Sequence, residues 1–120
     1  MAVDLSPAVE RAADAARQRA GGLPRLADWF LALTDDEDGK PVALLERAAV
    51  DVPAVRAAAG PDPTVAPPPP VLYAAARERS IALRGDPAVT TEFVLLAVLA
   101  ADSGFADRLA AAGLRLADLE

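Results

Sequence analysis

The sequence predicts an all-α protein built from two copies of one four-helix unit, about eight helices in all, and three observations predict it. A quarter of the 120 residues are alanine, the residue with the best intrinsic helix propensity because it loses no side-chain entropy. No stretch alternates apolar and polar residues as a half-buried strand does. The order of helix starts, apolar segments and acidic loops in the first half recurs in the second. Pairing Trp29 with Phe93, Leu45 with Leu109, Val50 with Leu114 and Val55 with Leu119 gives one constant offset of 64, while the first helices are expected to need a shift of about one residue from a small indel.

The first helix opens at Ser6-Pro7, a hydroxyl N-cap followed by proline at N1. Val9, Ala12, Ala13, Ala16 and Ala20 follow at helical spacing, and Gly21-Gly22 stops the run. Its counterpart opens at Pro70, continues through Leu72, Ala75, Ala76 and Arg79, and stops at Gly85-Asp86-Pro87. A short apolar helix comes next in each half, over residues 27–33 and 91–99. Residues 93–101 are apolar on every face, so that helix must be surrounded by protein or lipid. A run of nine is far below the ~20 residues a bilayer requires, so the two apolar helices are expected to pack at the centre, related by a pseudo-twofold axis.

Acidic loops follow, Asp35-Asp36-Glu37-Asp38-Gly39 and Asp102-Ser103-Gly104, then third helices over residues 42–49 and 105–112 and matching tails over 50–55 and 114–119. Between the halves lies Gly60-Pro61-Asp62-Pro63-Thr64-Val65-Ala66-Pro67-Pro68-Pro69-Pro70. Its prolines cannot continue a helix and favour a semi-rigid polyproline II connector. The expected organisation is one domain over residues 1–120: repeat one over 5–59, a proline-rich linker over 60–70 and repeat two over 70–120.

Composition bounds the chemistry. The chain has no cysteine and no histidine, which removes disulfides, thiolate sites, and the commonest general base and zinc ligand. Twelve basic against eighteen acidic residues give a net charge of −6, unsuited to a phosphate backbone that is held by lysine and arginine. Lys40 is the single lysine, in Asp38-Gly39-Lys40-Pro41, which lacks the Gly-rich turn of a nucleotide-binding loop. The Asp35–Gly39 loop fits no register of a calcium-binding hand, because glycine would stand at position 5, and is read as a solvated acidic loop. No catalytic residue, cofactor or metal site is expected, and the class expected is not an enzyme. Met-Ala-Val-Asp offers no signal-like start, so a cytoplasmic location is expected. Tyr73 and Phe105 are read as packing residues, and Arg77, Glu78, Arg79 and Arg84 as a solvated helix face. Trp29 is read as a core residue, or else as a half-exposed rim of a peptide groove, where tryptophan is enriched.

Thr91-Glu92-Phe93-Val94-Leu95-Leu96-Ala97-Val98-Leu99 resembles the Thr-Glu-His-Leu-Leu-Leu-Ala-Leu-Leu signature of the Clp N-terminal domain, or Clp repeat, with Phe93 in the histidine place. Ala27-Asp28-Trp29-Phe30-Leu31 is a looser match, with Trp29 in that place. The resemblance covers about residues 5 to 120 and implies a mobile docking platform for a Clp-type chaperone or protease, one that binds adaptors, client proteins or phosphoarginine-marked peptides. It implies no nucleic acid and no membrane partner. In some members two equivalent pockets hold phosphorylated arginine through the signature glutamate. That assigns Glu92, its shorter counterpart Asp28, the flanking Thr91, the N-terminal hydroxyl Ser6 and Trp29 to binding. Pro69-Pro70 stand where the second hydroxyl would be. A carboxylate near a helix N-terminus also complements the helix dipole by about 0.3–1 kcal/mol, which alone would account for Asp28 and Glu92. The alternatives are a stand-alone decoy that sequesters cyclic-peptide antibiotics aimed at Clp proteins, and a structural arm of a larger protein.

Overall fold

Helix starts and stops follow local chemistry closely. The computed structural model describes residues 5–120, which form seven α-helices and one 3-10 turn; the start without a signal, read from residues 1–4, lies outside the described residues. Helix α1 spans Pro7–Ala20, with Ser6 Oγ accepting from Val9 N at 3.3 Å and Pro7 in the first turn. Its buried face is Val9, Ala12, Ala13 and Ala16, the i, i+3, i+4, i+7 stripe of an amphipathic helix. Gly21 ends it at φ +65°, a left-handed conformation that glycine adopts without a Cβ penalty. Gly85 ends α5 (Pro69–Arg84) in the same way, at φ +69°.

Helices α2 (Leu26–Leu33) and α6 (Thr91–Ala100) are the two apolar helices, and they pack against each other. Residues Phe93–Leu99 are buried, as an all-apolar surface demands, together with Thr91 and Glu92, while Ala100 and Ala101 at the end of the apolar run are exposed. Around α6 stand α1, α2, α3 (Lys40–Arg47), α5, α7 (Ser103–Ala111) and the 3-10 turn (Leu116–Asp118). Phe30 of α2 meets Phe105 of α7 edge to face, with ring centroids 6.4 Å apart, a geometry the aromatic quadrupole favours.

The third helices, α3 (Lys40–Arg47) and α7 (Ser103–Ala111), each begin two residues before the expected start. Pro41 is tolerated in the first turn of α3 because no intrahelical N–H is needed there, and Asp102 caps α7 by accepting from Phe105 N at 2.9 Å. Both end early because the chain turns at Ala49 (φ +59°) and Gly113 (φ +102°). Asp51 then caps α4 (Val52–Ala59), accepting from Ala54 N at 3.2 Å. The corresponding position in the second half is Arg115, which has no acceptor to offer, and only the 3-10 turn Leu116–Asp118 follows.

The proline-rich connector between α4 and α5 carries no helix over residues 61–68 and is docked on the body of the protein. Leu26 N donates to Thr64 O at 2.9 Å and Ala66 N to Pro24 O at 3.0 Å, so this strap lies against the entry to α2. Asp62 is buried at 4% exposure. Its carboxylate accepts from Thr64 N at 2.9 Å and pairs with Arg108 Nε of α7 at 3.0 Å. Pro69 and Pro70 belong to the first turn of α5. At the other end, Leu5 bridges to Val89, with Ser6 N donating to Val89 O at 3.0 Å.

Candidate functional site: two buried carboxylates and the clefts beside them

Asp28 lies in the first turn of α2 and is 2% exposed. Arg25, the residue before the helix, wraps it. Oδ2 accepts from Arg25 N at 2.9 Å and from Nε at 3.2 Å, while Oδ1 accepts from Nη2 at 3.2 Å. This is the bidentate fork that suits a guanidinium to a carboxylate. Burial alone would push the Asp28 carboxyl up, but the Arg25 side-chain and backbone hydrogen bonds, with its charge, hold it below the usual range. Arg25 Nη1 also donates to Asp62 O at 3.3 Å. One guanidinium thus fastens the start of α2 to the strap.

Glu92 lies in the first turn of α6 and is 6% exposed. Its Oε1 accepts from Thr90 Oγ1 at 3.1 Å and pairs with Arg84 Nη1 at 3.1 Å. Arg84 is the last residue of α5, and its guanidinium carbon stands 5.1 Å from the centroid of the Phe93 ring, within range of a cation–π contact. The Arg84 side chain is 53% exposed. Beside it opens a cleft of about 210 Å³ lined by Leu44, Leu83, Phe93, Leu96 and Leu119 among others.

Ser6 and Thr91 come together in another cleft, of about 680 Å³, between α1, the α2–α3 loop and the start of α6. Asp28 and Trp29 line neither of these clefts. Trp29 is 1% exposed and meets Tyr73 edge-on at 6.2 Å between centroids. It packs in the core, offers no rim to a ligand, and among the described residues its indole Nε1 has no hydrogen-bond partner. A third cleft, of about 450 Å³, lies between α5 and α6. Its lining residues Val71, Leu72 and Ala97 stand 64 positions after Pro7, Ala8 and Leu33 of the Ser6–Thr91 cleft.

In the acidic loop, Asp35 is a bracket between helices. It accepts from Arg19 of α1 at 2.7 Å and from Arg56 of α4 at 2.8 Å. Burial pushes its carboxyl up, and the two arginines more than reverse that.

The two arginines facing Asp28 and Glu92 were not singled out as site residues by sequence reasoning. Arg25 had a readable signal, since a residue at the N-cap and an acidic one three positions on is the spacing of a capping box. Arg84 had none, because it reaches Glu92 only through the turn that Gly85 makes. No protein-family model matches the chain, and no curated protein matches it either.

Proposed function

We propose that this chain is a non-enzymatic docking module of the Clp N-terminal type, a duplicated four-helix unit that binds adaptors, clients or phosphoarginine-marked peptides. The observation that carries the reading is the pair Asp28 and Glu92. They stand 64 positions apart, each in the first turn of a buried apolar helix, and each is paired with a guanidinium. A buried carboxylate without a cation is costly, so each position calls for a guanidinium, which Arg25 and Arg84 of the chain itself supply.

The duplication draws support from features that recur at the same interval. Gly21 and Gly85 end the first helices, and Ala49 and Gly113 end the third helices with positive φ. The lining of the α5–α6 cleft follows the same interval. The clefts beside α6 offer apolar walls to a peptide, and the Ser6–Thr91 cleft adds hydroxyls.

The test is a titration of the whole chain with a phosphoarginine-containing peptide, followed by NMR. Resonances of Glu92 and Phe93 are expected to move, and Glu92→Gln to remove the response. Unmoved spectra, together with no co-sedimentation with a Clp-type unfoldase ring, would overturn the reading.

A further inference from the structure

The two guanidinium-holding sites differ in how firmly the chain's own arginine is held. At Asp28 both carboxylate oxygens are taken, the Arg25 backbone N–H adds a further bond, and the same guanidinium holds the strap through Asp62 O. Removing Arg25 from Asp28 would loosen both the start of α2 and the strap. At Glu92 the hold is slight. Arg84 makes one ion pair, to Oε1, and rests on the Phe93 ring. More than half of its side chain faces solvent, where such pairs are weak. Among the described residues no hydrogen bond reaches Glu92 Oε2.

The recess that Arg84 fills is shaped for a flat cation: a buried carboxylate on one side, an aromatic face on another, and Leu83, Leu96 and Leu119 nearby for apolar groups of a ligand. Resting on the docking reading above, we propose that Arg84 is a built-in occupant of the Glu92–Phe93 recess, which an arginine-type ligand must displace, while the Asp28 recess stays shut. The chain therefore takes one such ligand, not two. Affinity for the free chain is lowered by the fraction of time Arg84 is in place.

The experiment titrates the full chain calorimetrically with N-acetyl-arginine amide and with a phosphoarginine-containing peptide, comparing wild type with Arg84→Ala, Arg84→Gln and Glu92→Gln. Both Arg84 variants are expected to bind roughly fivefold more tightly, as loss of one exposed ion pair and one cation–π contact implies, still at one ligand per chain. Glu92→Gln is expected to lose binding. Circular dichroism checks that each variant is folded. Equal or weaker binding by both folded Arg84 variants overturns the displacement and leaves the docking reading intact. Two ligands per chain overturn the closure at Asp28. No binding by any of the proteins removes the docking reading and the displacement with it.

Discussion

Ala49 and Gly113 turn the chain in the same way at the ends of α3 and α7. Both have positive φ, and the residue after each returns a hydrogen bond into the helix: Val50 N to Leu45 O at 3.1 Å, and Leu114 N to Leu109 O at 2.9 Å. An L-residue in the left-handed region costs roughly 1–2 kcal/mol. Glycine returns about 0.5–1 kcal/mol of that as unfolded-state entropy. Ala49→Gly is therefore expected to stabilise the chain by up to about 1 kcal/mol in urea denaturation. Gly113→Ala is expected to destabilise it by about 1 kcal/mol, the left-handed cost less the same entropy gain, since among the described residues no atom lies within 4 Å of an added Cβ. A destabilised Ala49→Gly variant would show that the turn is held by something other than backbone preference.

The strap should loosen when its buried anchor is removed. Asp62→Ala strips the acceptor from Thr64 N and the partner from Arg108, with an expected loss of about 1–3 kcal/mol. Amide exchange at Thr64 should speed up in that variant. A double-mutant cycle with Arg108→Ala should show a coupling of at least about 0.5 kcal/mol. Additive effects would mean that the ion pair contributes nothing.

Acid should destabilise the fold from the low side of neutrality. Asp28, Asp35 and Asp62 are each pushed up by burial, yet held below their ordinary value. Arg25 does this at Asp28, Arg19 and Arg56 at Asp35, and the Thr64 hydrogen bonds with Arg108 at Asp62. A carboxyl depressed on folding contributes stability above its unfolded value and loses it as pH falls through the folded one. Urea midpoints are thus expected to be level from neutrality to about pH 5 and to fall below about pH 4. Asp62→Asn and Asp28→Asn should each flatten that fall. Equally steep falls in the variants would assign the acid response to other groups.

Trp29 reports on the core. At 1% exposure its fluorescence is expected to be blue-shifted and to resist acrylamide until the chain unfolds. Trp29→Ala should cost about 3–5 kcal/mol, a large share of the 5–15 kcal/mol typical of a domain. Trp29→Phe should remain within about 2 kcal/mol of wild type, because the indole N–H it removes has no partner among the described residues. Ready quenching in the native state would contradict the buried placement.

Local punctuation and hydropathy were readable, and through-space charge pairing was not. Ser6, Gly21 and Gly85 marked helix ends because capping chemistry acts within a few residues. The unbroken apolar run after Thr91 marked the buried helix because no amphipathic face was left for water. The prolines of the strap describe the backbone's preference for a non-helical connector and say nothing of Asp62 docking on Arg108. The acidic loop is exposed from Asp35 to Asp38, as its composition predicts; what composition does not show is that Asp35 also takes partners from α1 and α4. At the candidate site, Asp28 and Glu92 were singled out by the resemblance of residues 27–31 and 91–99 to the Clp repeat signature, while helix position alone accounted for them as dipole partners. Arg84 looked like part of a solvated face. Trp29 could be placed on a rim or in the core from sequence, and its contact with Tyr73 puts it in the core.

The two isolated backbone bridges have a consequence for synthesis. Leu5 lies against Val89, and Arg25 against Val65, so the lead-in of each half is clasped by the other. A nascent chain leaving the ribosome cannot complete its first half until Val89 has emerged, and until then the flank of α2 that will meet α6 stays bare. Conversely, once the protein is assembled, a protease that nicks the strap should leave two interlocked fragments that migrate as one particle and separate only in denaturant.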